Sequence, residues 1–259
     1  MRYISFSLKL SVVQRWLDES DHGCFYISFG SVTRFETSPK YIIDEFYKSF
    51  SNISPVRILL KVVNPADLPP GLPTNVMTQS WFDQIQVLKH RNVKGFITHG
   101  GLMSTQESVY YGVPMIGIPL FGDQPFNIAH YVKRNIAIKV DVHEISEKSM
   151  TDAIFKILED PSYRDTVQKV SDEFKDHPET PLNTAIFWTE YIARHGKNSL
   201  KLPASELSWW QTSLIDVYSF LILTLIFVLY TISILIIYMI RILRNLLIHS
   251  SPIRKMKTT

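Results

Sequence analysis

An uncharged stretch near the C-terminus constrains this chain more than any other feature of its 259 residues. The 24 residues from Val217 to Ile240 contain no Asp, Glu, Lys or Arg. As a helix they would extend about 36 Å, and the hydrocarbon core of a bilayer is about 30 Å thick. A core helix of a soluble protein rarely runs so far without a charge. We therefore predict a transmembrane helix over residues 217–240.

The charges on either side of this stretch predict its orientation. The 20 residues before it hold two lysines and two acids, whereas the tail after it holds no acid and five cations: Arg241, Arg244, Arg254, Lys255 and Lys257. Cytosolic flanks carry the excess of Lys and Arg. We expect the tail in the cytosol and the rest on the lumenal or exterior side. The spacing of Lys255 and Lys257 from the end resembles dilysine signals of the endoplasmic reticulum, and a plain topology anchor explains it equally well.

Short apolar runs alternate with amphipathic stretches through the rest of the chain. In the clearest amphipathic stretch, Ile43, Phe46 and Phe50 share one face of a helix that Ser38-Pro39 would start. Strands that alternate with helices predict an α/β fold, a Rossmann-like parallel sheet with helices on both faces. The predicted strands are residues 24–29, 57–62, 95–98, 115–118 and 137–140, and covering helices are expected at 146–158, 162–176 and 182–195.

Polar residues follow the third predicted strand. His99 is succeeded by Gly100 and Gly101 and by a helix expected to begin near Ser104. A strand, a glycine turn and the free amides of a helix N-terminus make an anion site. Glu107 would point back to the same place, where a carboxylate can accept hydrogen bonds from ribose hydroxyls. A capping box formed by Ser104 and Glu107 is the alternative, and spacing alone slightly favours it.

Two further pairs of residues suit a sugar and a base. Asp123 and Gln124 lie in a loop bracketed by prolines, where they suit sugar hydroxyls, or Asp123 caps the next helix. Trp81 and Gln84 offer an aromatic face and a bidentate amide, although Trp81 taken alone would be a core residue. Without the tail cations the chain has 22 basic against 24 acidic residues, which gives no indication of nucleic-acid binding.

Together these residues closely resemble a known family signature. Trp81-Phe-Asp-Gln84, Gly95-Phe-Ile-Thr-His-Gly-Gly101, Gln106-Glu107, Tyr111-Gly-Val-Pro114 and Phe121-Gly-Asp-Gln124 are similar to the UDP-glucuronosyltransferase and UDP-glycosyltransferase family, in its animal membrane-bound branch. The resemblance implies the C-terminal, donor-binding half of a fold of two facing Rossmann-like domains (GT-B). It places Trp81 and Gln84 at uracil, Glu107 at ribose, Ser31, His99 and Ser104 at the diphosphate, and Asp123 and Gln124 at the sugar.

Two positions depart from the family pattern. The family usually has proline where Asp83 stands, so we expect a looser base-binding turn here. Many vertebrate members have asparagine where Met103 stands, which leaves glucose and glucuronic acid both open as the donor sugar.

The resemblance also implies a reaction and its participants. We expect inverting transfer from UDP-glucuronic acid or UDP-glucose to small lipophilic acceptors, with no cofactor or metal. Other members of the family are candidate partners in a homo- or hetero-oligomer. The catalytic base is expected in an N-terminal domain outside this chain, so no residue here is assigned as catalytic. The alternatives are a non-catalytic membrane partner of full-length enzymes and a truncated gene model.

These expectations divide the chain into five parts. Residues 1–22 would be an N-terminal remnant or the start of a linker, and residues 23–196 the UDP-sugar-binding domain with its covering helices. A juxtamembrane linker, 197–216, contains Trp209 and Trp210, which favour the headgroup zone of a bilayer. The membrane helix, 217–240, and the basic tail, 241–259, follow. We expect the protein in the endoplasmic reticulum membrane with this domain in the lumen.

Overall fold

The computed structural model describes residues 12–196 and 198–250. These residues form two compact units, one ending at Pro178 and the other beginning at Glu179. The second unit includes the helix at 181–195 that we expected to cover the sheet, so the predicted domain limits, 23–196, stay a prediction. The dilysine pair, Lys255 and Lys257, lies outside the described residues, as do residues 1–11 of the predicted remnant.

The first unit is an α/β layer built on one parallel sheet. Its strands are β1 (Cys24–Ser28), β2 (Arg57–Lys61), β3 (Val76–Gln79), β4 (Val93–Thr98), β5 (Met115–Gly117) and β6 (Ala137–Lys139). Its helices are α1 (residues 12–18), α2 (Lys40–Asn52), α3 (Gln84–Lys89), α4 (Leu102–Tyr110), α5 (Gln124–Lys133), α6 (Glu147–Glu159) and α7 (Pro161–Lys175). The α/β prediction is confirmed.

The strand order is β3-β2-β1-β4-β5-β6, with every neighbouring pair parallel. The chain moves outward from β1 to β3 and then returns to the other side of β1 to form β4. The order therefore reverses between β1 and β4. In open parallel sheets ligands bind in the crevice outside the carboxyl ends of the strands at such a switch point.

Both faces of the sheet are covered by apolar side chains. Alternate residues of β1 point to opposite faces: Phe25 and Ile27 join the cluster beneath α2 and α6, whereas Tyr26 joins Phe96 and α7 on the other face. Tyr26 and Phe96 stack with ring centroids 5.2 Å apart. Burial on both faces explains why these strands read as continuous apolar runs.

One strand was missed from the sequence. β3 pairs with β2 in a register that sets Val76 beside Ile58 and Gln79 beside Lys61. Only its first residue, Val76, is buried. It is an edge strand of four residues whose remaining side chains are half-exposed, so it lacks the apolar run that marks the central strands. The other strands agree with the predictions within one or two residues.

The second unit contains α8 (Pro181–His195), α9 (Trp209–Thr212) and α10 (Ile215–Ser250). The most apolar 18-residue window within Ile215–Leu247 of α10 has a mean hydropathy of 2.9, so this helix is long and apolar enough to cross a membrane. The predicted span, 217–240, lies inside it. The helix continues past Arg241 and Arg244 because charges at the end of a span do not interrupt backbone hydrogen bonding.

Candidate functional site

A cavity of about 490 Å³ opens at the carboxyl ends of β1, β2 and β4. We call it the switch-point cavity. Nine of the ten predicted site residues line it: Ser31, Trp81, Gln84, His99, Gly101, Ser104, Glu107, Asp123 and Gln124. They come from the loops after β1, β3, β4 and β5 and from the helices α3, α4 and α5, and only the parallel topology brings them together.

The His99 imidazole lies in a slot between two glycines. A Cβ added to Gly101 would stand 2.6 Å from Nε2, and one added to Gly30 would stand 3.1 Å from the same atom. Side chains at either position would therefore displace the ring. Burial lowers the pKa of His99, with a smaller opposite effect from the Asp123 carboxylate. The imidazole is therefore held largely neutral at pH 7 and can still donate one N–H bond.

Gly100 is the predicted site residue that does not line the cavity. Its φ of +89° is a backbone conformation that favours glycine, and a Cβ there would meet Ile128 Cγ1 at 2.6 Å. Its amide donates to Thr98 Oγ1 at 3.3 Å. Gly100 thus lets the turn after β4 pack closely on α5.

Gln84 and Glu107 form the tightest polar contact in the cavity. Gln84 Nε2 donates to Glu107 Oε2 at 2.6 Å and to Ser104 Oγ at 3.3 Å. The capping-box alternative is wrong, because α4 begins at Leu102 with Gly101 as its N-cap, which places Ser104 inside the first turn. Ser104 and Glu107 are therefore available to the cavity.

Trp81 is 63% exposed, so the core alternative for this residue is wrong as well. Asp83, where the family usually has proline, is the N-cap of α3 and accepts from Gln86 N at 3.2 Å. The aspartate therefore gives the turn between Trp81 and Gln84 a side-chain hydrogen bond, and the looser turn expected in the absence of proline stays a prediction.

Lys61 lines the cavity but was not among the site residues predicted from the sequence. It ends β2, and its Nζ lies 4.4 Å from the centroid of the Trp81 ring and donates to Gly30 O at 2.7 Å. Burial lowers the pKa of this ammonium, while the Glu36 carboxylate raises it. The signal for Lys61 in the sequence is its position near the carboxyl end of the predicted strand 57–62, where the parallel sheet places ligand-binding residues.

The loop before α5 is fixed by the side chains it carries. Gln124 is buried, and its Oε1 accepts from Leu120 N at 2.9 Å and Phe121 N at 3.1 Å, so only its NH2 group is left to contact a ligand. Asp123 stands at the N-cap position of α5 but makes no side-chain capping bond. Its carboxylate accepts from Asn127 Nδ2 at 2.8 Å. Capping by the Asp123 side chain, the alternative considered above, is therefore wrong.

The floor of the cavity contains one further polar group. Tyr26 is buried against Phe82 and Phe96, yet it lines the cavity together with Ser28. Burial raises the pKa of its phenol, so the hydroxyl stays protonated. The sequence showed Tyr26 only as part of an apolar strand. Among the described residues no group of three His, Cys, Asp or Glu side chains could hold a metal ion.

Comparison with known proteins gives concordant matches. The family model for UDP-glucoronosyl and UDP-glucosyl transferase matches residues 12–247. UDP-glucosyltransferase 2 of Dactylopius coccus is 38% identical over 213 residues, which are 82% of this chain and 41% of that protein. UDP-glucuronosyltransferase 2B7 of Homo sapiens is 40% identical over 62% of this chain and 31% of its own length. The chain thus spans about two fifths or less of these relatives.

A solved structure of similar fold is that of a single-residue variant of Os79 from O. sativa in complex with UDP. It is 23% identical, covers 69% of this chain and 44% of its own chain, and gives a TM-score of 0.59. This likeness supports the Rossmann-like architecture of the first unit.

Proposed function

Because this chain belongs to the UDP-glucoronosyl and UDP-glucosyl transferase family, we propose that its switch-point cavity binds the UDP-sugar donor of a glycosyltransferase. The observation that carries the proposal is the convergence of an exposed tryptophan, a Gln84–Glu107 pair, a slotted histidine and a helix N-terminus on one cavity. Each group has a chemical counterpart in a nucleoside diphosphate sugar.

The base and ribose fit the side of the cavity formed by α3 and α4. Trp81 is 63% exposed, and the face of its ring that Lys61 does not cover can stack on uracil. Such stacking stabilises binding beyond the effect of the apolar area that it buries. Gln84 keeps its carbonyl oxygen for a donor on the ligand, since its NH2 group contacts Glu107 and Ser104. Glu107 uses Oε2 on Gln84, and its second oxygen can accept from a ribose hydroxyl.

The diphosphate fits the turn after β4. The first amides of α4 have no intrahelical partner, and Leu102, Met103 and Ser104, which carry them, line the cavity together with Ser31. His99 contributes an N–H group, and Lys61 contributes positive charge. Donors placed before the reaction stabilise the charge that grows on a leaving diphosphate.

The sugar fits the loop before α5, where Asp123 offers a carboxylate and Gln124 its NH2 group. Both UDP-glucose and UDP-glucuronic acid suit these groups, and the relatives named above include enzymes named for each sugar. We propose inverting transfer to a small lipophilic acceptor that enters from the open side. The base that deprotonates the acceptor would lie on an opposing domain, because His99 faces the diphosphate and the carboxylates face the ribose and the sugar.

Membrane attachment follows from α10. We propose that it spans the endoplasmic reticulum membrane once, with the first unit in the lumen. Arg241 and Arg244 at the end of the span support a cytosolic tail. Protease added to sealed microsomes should remove an epitope at the C-terminus and spare one placed after residue 178. The reverse pattern would contradict this topology.

Calorimetric titration of the detergent-solubilised chain tests the donor site. UDP, UDP-glucose and UDP-glucuronic acid should each give saturable heat, whereas ADP should bind at least tenfold more weakly, because the pocket between Trp81 and Gln84 reads the base. Equal affinity for UDP and ADP would show that the site recognises the diphosphate and not the base. No saturable heat with any ligand would remove the donor-site proposal.

A further inference from the structure

Asn127 joins two loops of the switch-point cavity without lining it. It lies one helical turn after Asp123 on α5, and its Nδ2 donates to Asp123 Oδ2 at 2.8 Å and to Gly100 O at 3.0 Å. One amide group thus connects the turn after β4 with the carboxylate assigned to the sugar.

Both partners of Asn127 accept hydrogen bonds only, since one is a carbonyl oxygen and the other a carboxylate. An Asn amide can serve both, because its NH2 group carries two N–H protons that donate in different directions. Aspartate at this position would place a negative charge against two oxygens, and serine could donate only once. The two contacts therefore determine both the side chain and the way its amide points.

The Gly100 end of this connection has its own support. The turn packs directly against Ile128, and its amide is held by Thr98 Oγ1. The Asp123 end is different, because Asp123 is exposed and makes no side-chain capping bond. A free Asp side chain changes rotamer readily. The rigidity of the turn is thus transmitted to the carboxylate through Asn127.

We propose that Asn127 is a positioning residue that holds the Asp123 carboxylate in the orientation that receives the hydroxyls of the donor sugar. The assignment rests on the proposed function, since it assumes that the sugar lies beside Asp123. Asn127 itself does not touch the ligand. It lowers the cost of ordering Asp123 when the sugar binds, which is the usual effect of preorganisation.

A positioning role and a merely structural role predict different binding data. If Asn127 only stabilised the fold, its loss would lower the melting temperature and weaken UDP and UDP-sugar alike. If Asn127 positions Asp123, its removal should weaken the binding of the UDP-sugar and leave the binding of UDP nearly unchanged. UDP lacks the sugar, and the turn that holds its phosphates keeps its contacts to Ile128 and Thr98.

The test is calorimetry on the full chain in detergent with UDP and with the tighter-binding of UDP-glucose and UDP-glucuronic acid. In Asn127→Ala the ratio of Kd for the UDP-sugar to Kd for UDP should rise about three- to tenfold, the cost of ordering one freed side chain when the sugar binds, with Kd for UDP changed less than about twofold. Asn127→Asp, which keeps the shape, should raise the ratio at least as much. Lys133→Ala, exposed on the same helix, should leave it unchanged.

A double-mutant cycle completes the design. Once Asp123 is replaced by Ala, adding Asn127→Ala should change the ratio by less than about twofold, because nothing is left to position. Equal weakening of UDP and UDP-sugar in both Asn127 variants, or full additivity in the cycle, would overturn the positioning role while leaving the donor site intact. Absence of binding in the unsubstituted chain would instead overturn the proposed function, and this assignment with it.

Discussion

Replacing Gly101 by alanine tests the histidine slot with a minimal change. Gly101 has φ −61° and ψ 135°, an extended conformation that alanine adopts without strain. The substitution adds one methyl group, which would lie 2.6 Å from His99 Nε2 and 2.9 Å from Cε1. The imidazole must therefore move.

The size of the effect follows from that distance. Ordinary contact begins near 3.4 Å, so the ring must shift by about 0.8 Å or more. A hydrogen bond from Nε2 or Nδ1 to a phosphate oxygen does not survive such a shift in a rigid cavity. Hydrogen bonds to charged groups contribute about 1.5–3 kcal/mol, which corresponds to about ten- to hundredfold in affinity. Alanine is also a poorer N-cap than glycine, at a cost of about 0.5–1 kcal/mol to helix stability.

The assay is calorimetric titration of UDP into four chains: the unsubstituted protein, Gly101→Ala, His99→Ala and the double variant. We expect Gly101→Ala to weaken UDP ten- to hundredfold and to add less than about threefold in the His99→Ala chain, where the space is free. A Gly101→Ala protein that binds UDP as well as the unsubstituted chain would refute the slot. An equal loss with and without His99 would show that the methyl group acts elsewhere.

Three further predictions concern the site and its surroundings. Burial lowers the pKa of His99 in the free protein, and a bound diphosphate should raise it. The affinity for UDP-glucose, measured by calorimetry between about pH 8 and 5.5, should therefore increase as pH falls through the ordinary histidine pKa of about 6.5. A pH profile that His99→Gln leaves unchanged would argue against this coupling. In the absence of ligand the free energy of unfolding should decrease as pH falls over the same range, because the unfolded chain binds a proton at His99 more readily than the folded protein does. Glu107→Ala should weaken UDP about ten- to hundredfold and 2′-deoxy-UDP much less, and equal losses measured by calorimetry would remove Glu107 from the ribose. Burial raises the pKa of the Cys24 thiol to about 12, so iodoacetamide should label this cysteine, the only one in the chain, only under denaturing conditions; rapid labelling of the native protein would contradict the core assignment.

Much of the fold could be predicted because its strands are buried on both faces. Cys24–Ser28 and residues 95–98 of β4 can be recognised as buried strands from their own composition, without knowledge of the strands beside them. The edge strand Val76–Gln79 could not be found in this way, because it is defined by its pairing with β2 and not by its own composition. Tertiary context decides such strands.

The sequence predicted most of the residues that line the cavity, but few of the contacts that these residues make with each other. Sequence spacing could not decide between a capping box and a ligand contact for Glu107, since that depends on whether α4 begins at Leu102 or Ser104. Lys61 and Asn127 act through neighbours that are distant in sequence, Trp81 and Gly100, and only the strand order brings these together. Tyr26 reads as an ordinary strand residue because its ring is buried and only the cavity reveals its hydroxyl.

Photoaffinity labelling with a 5-azido-UDP-sugar tests the central claim most directly, because it reports where the base lies. We expect light to attach the probe to peptides from residues 57–107, which include Lys61, Trp81 and Glu107, and we expect excess UDP to prevent the labelling. Trp81→Ala should reduce it strongly. Attachment to the groove formed by Gln106, His130, Arg134 and Phe174 on the other side of α4, or labelling that UDP does not compete, would contradict the assignment of the switch-point cavity as the donor site.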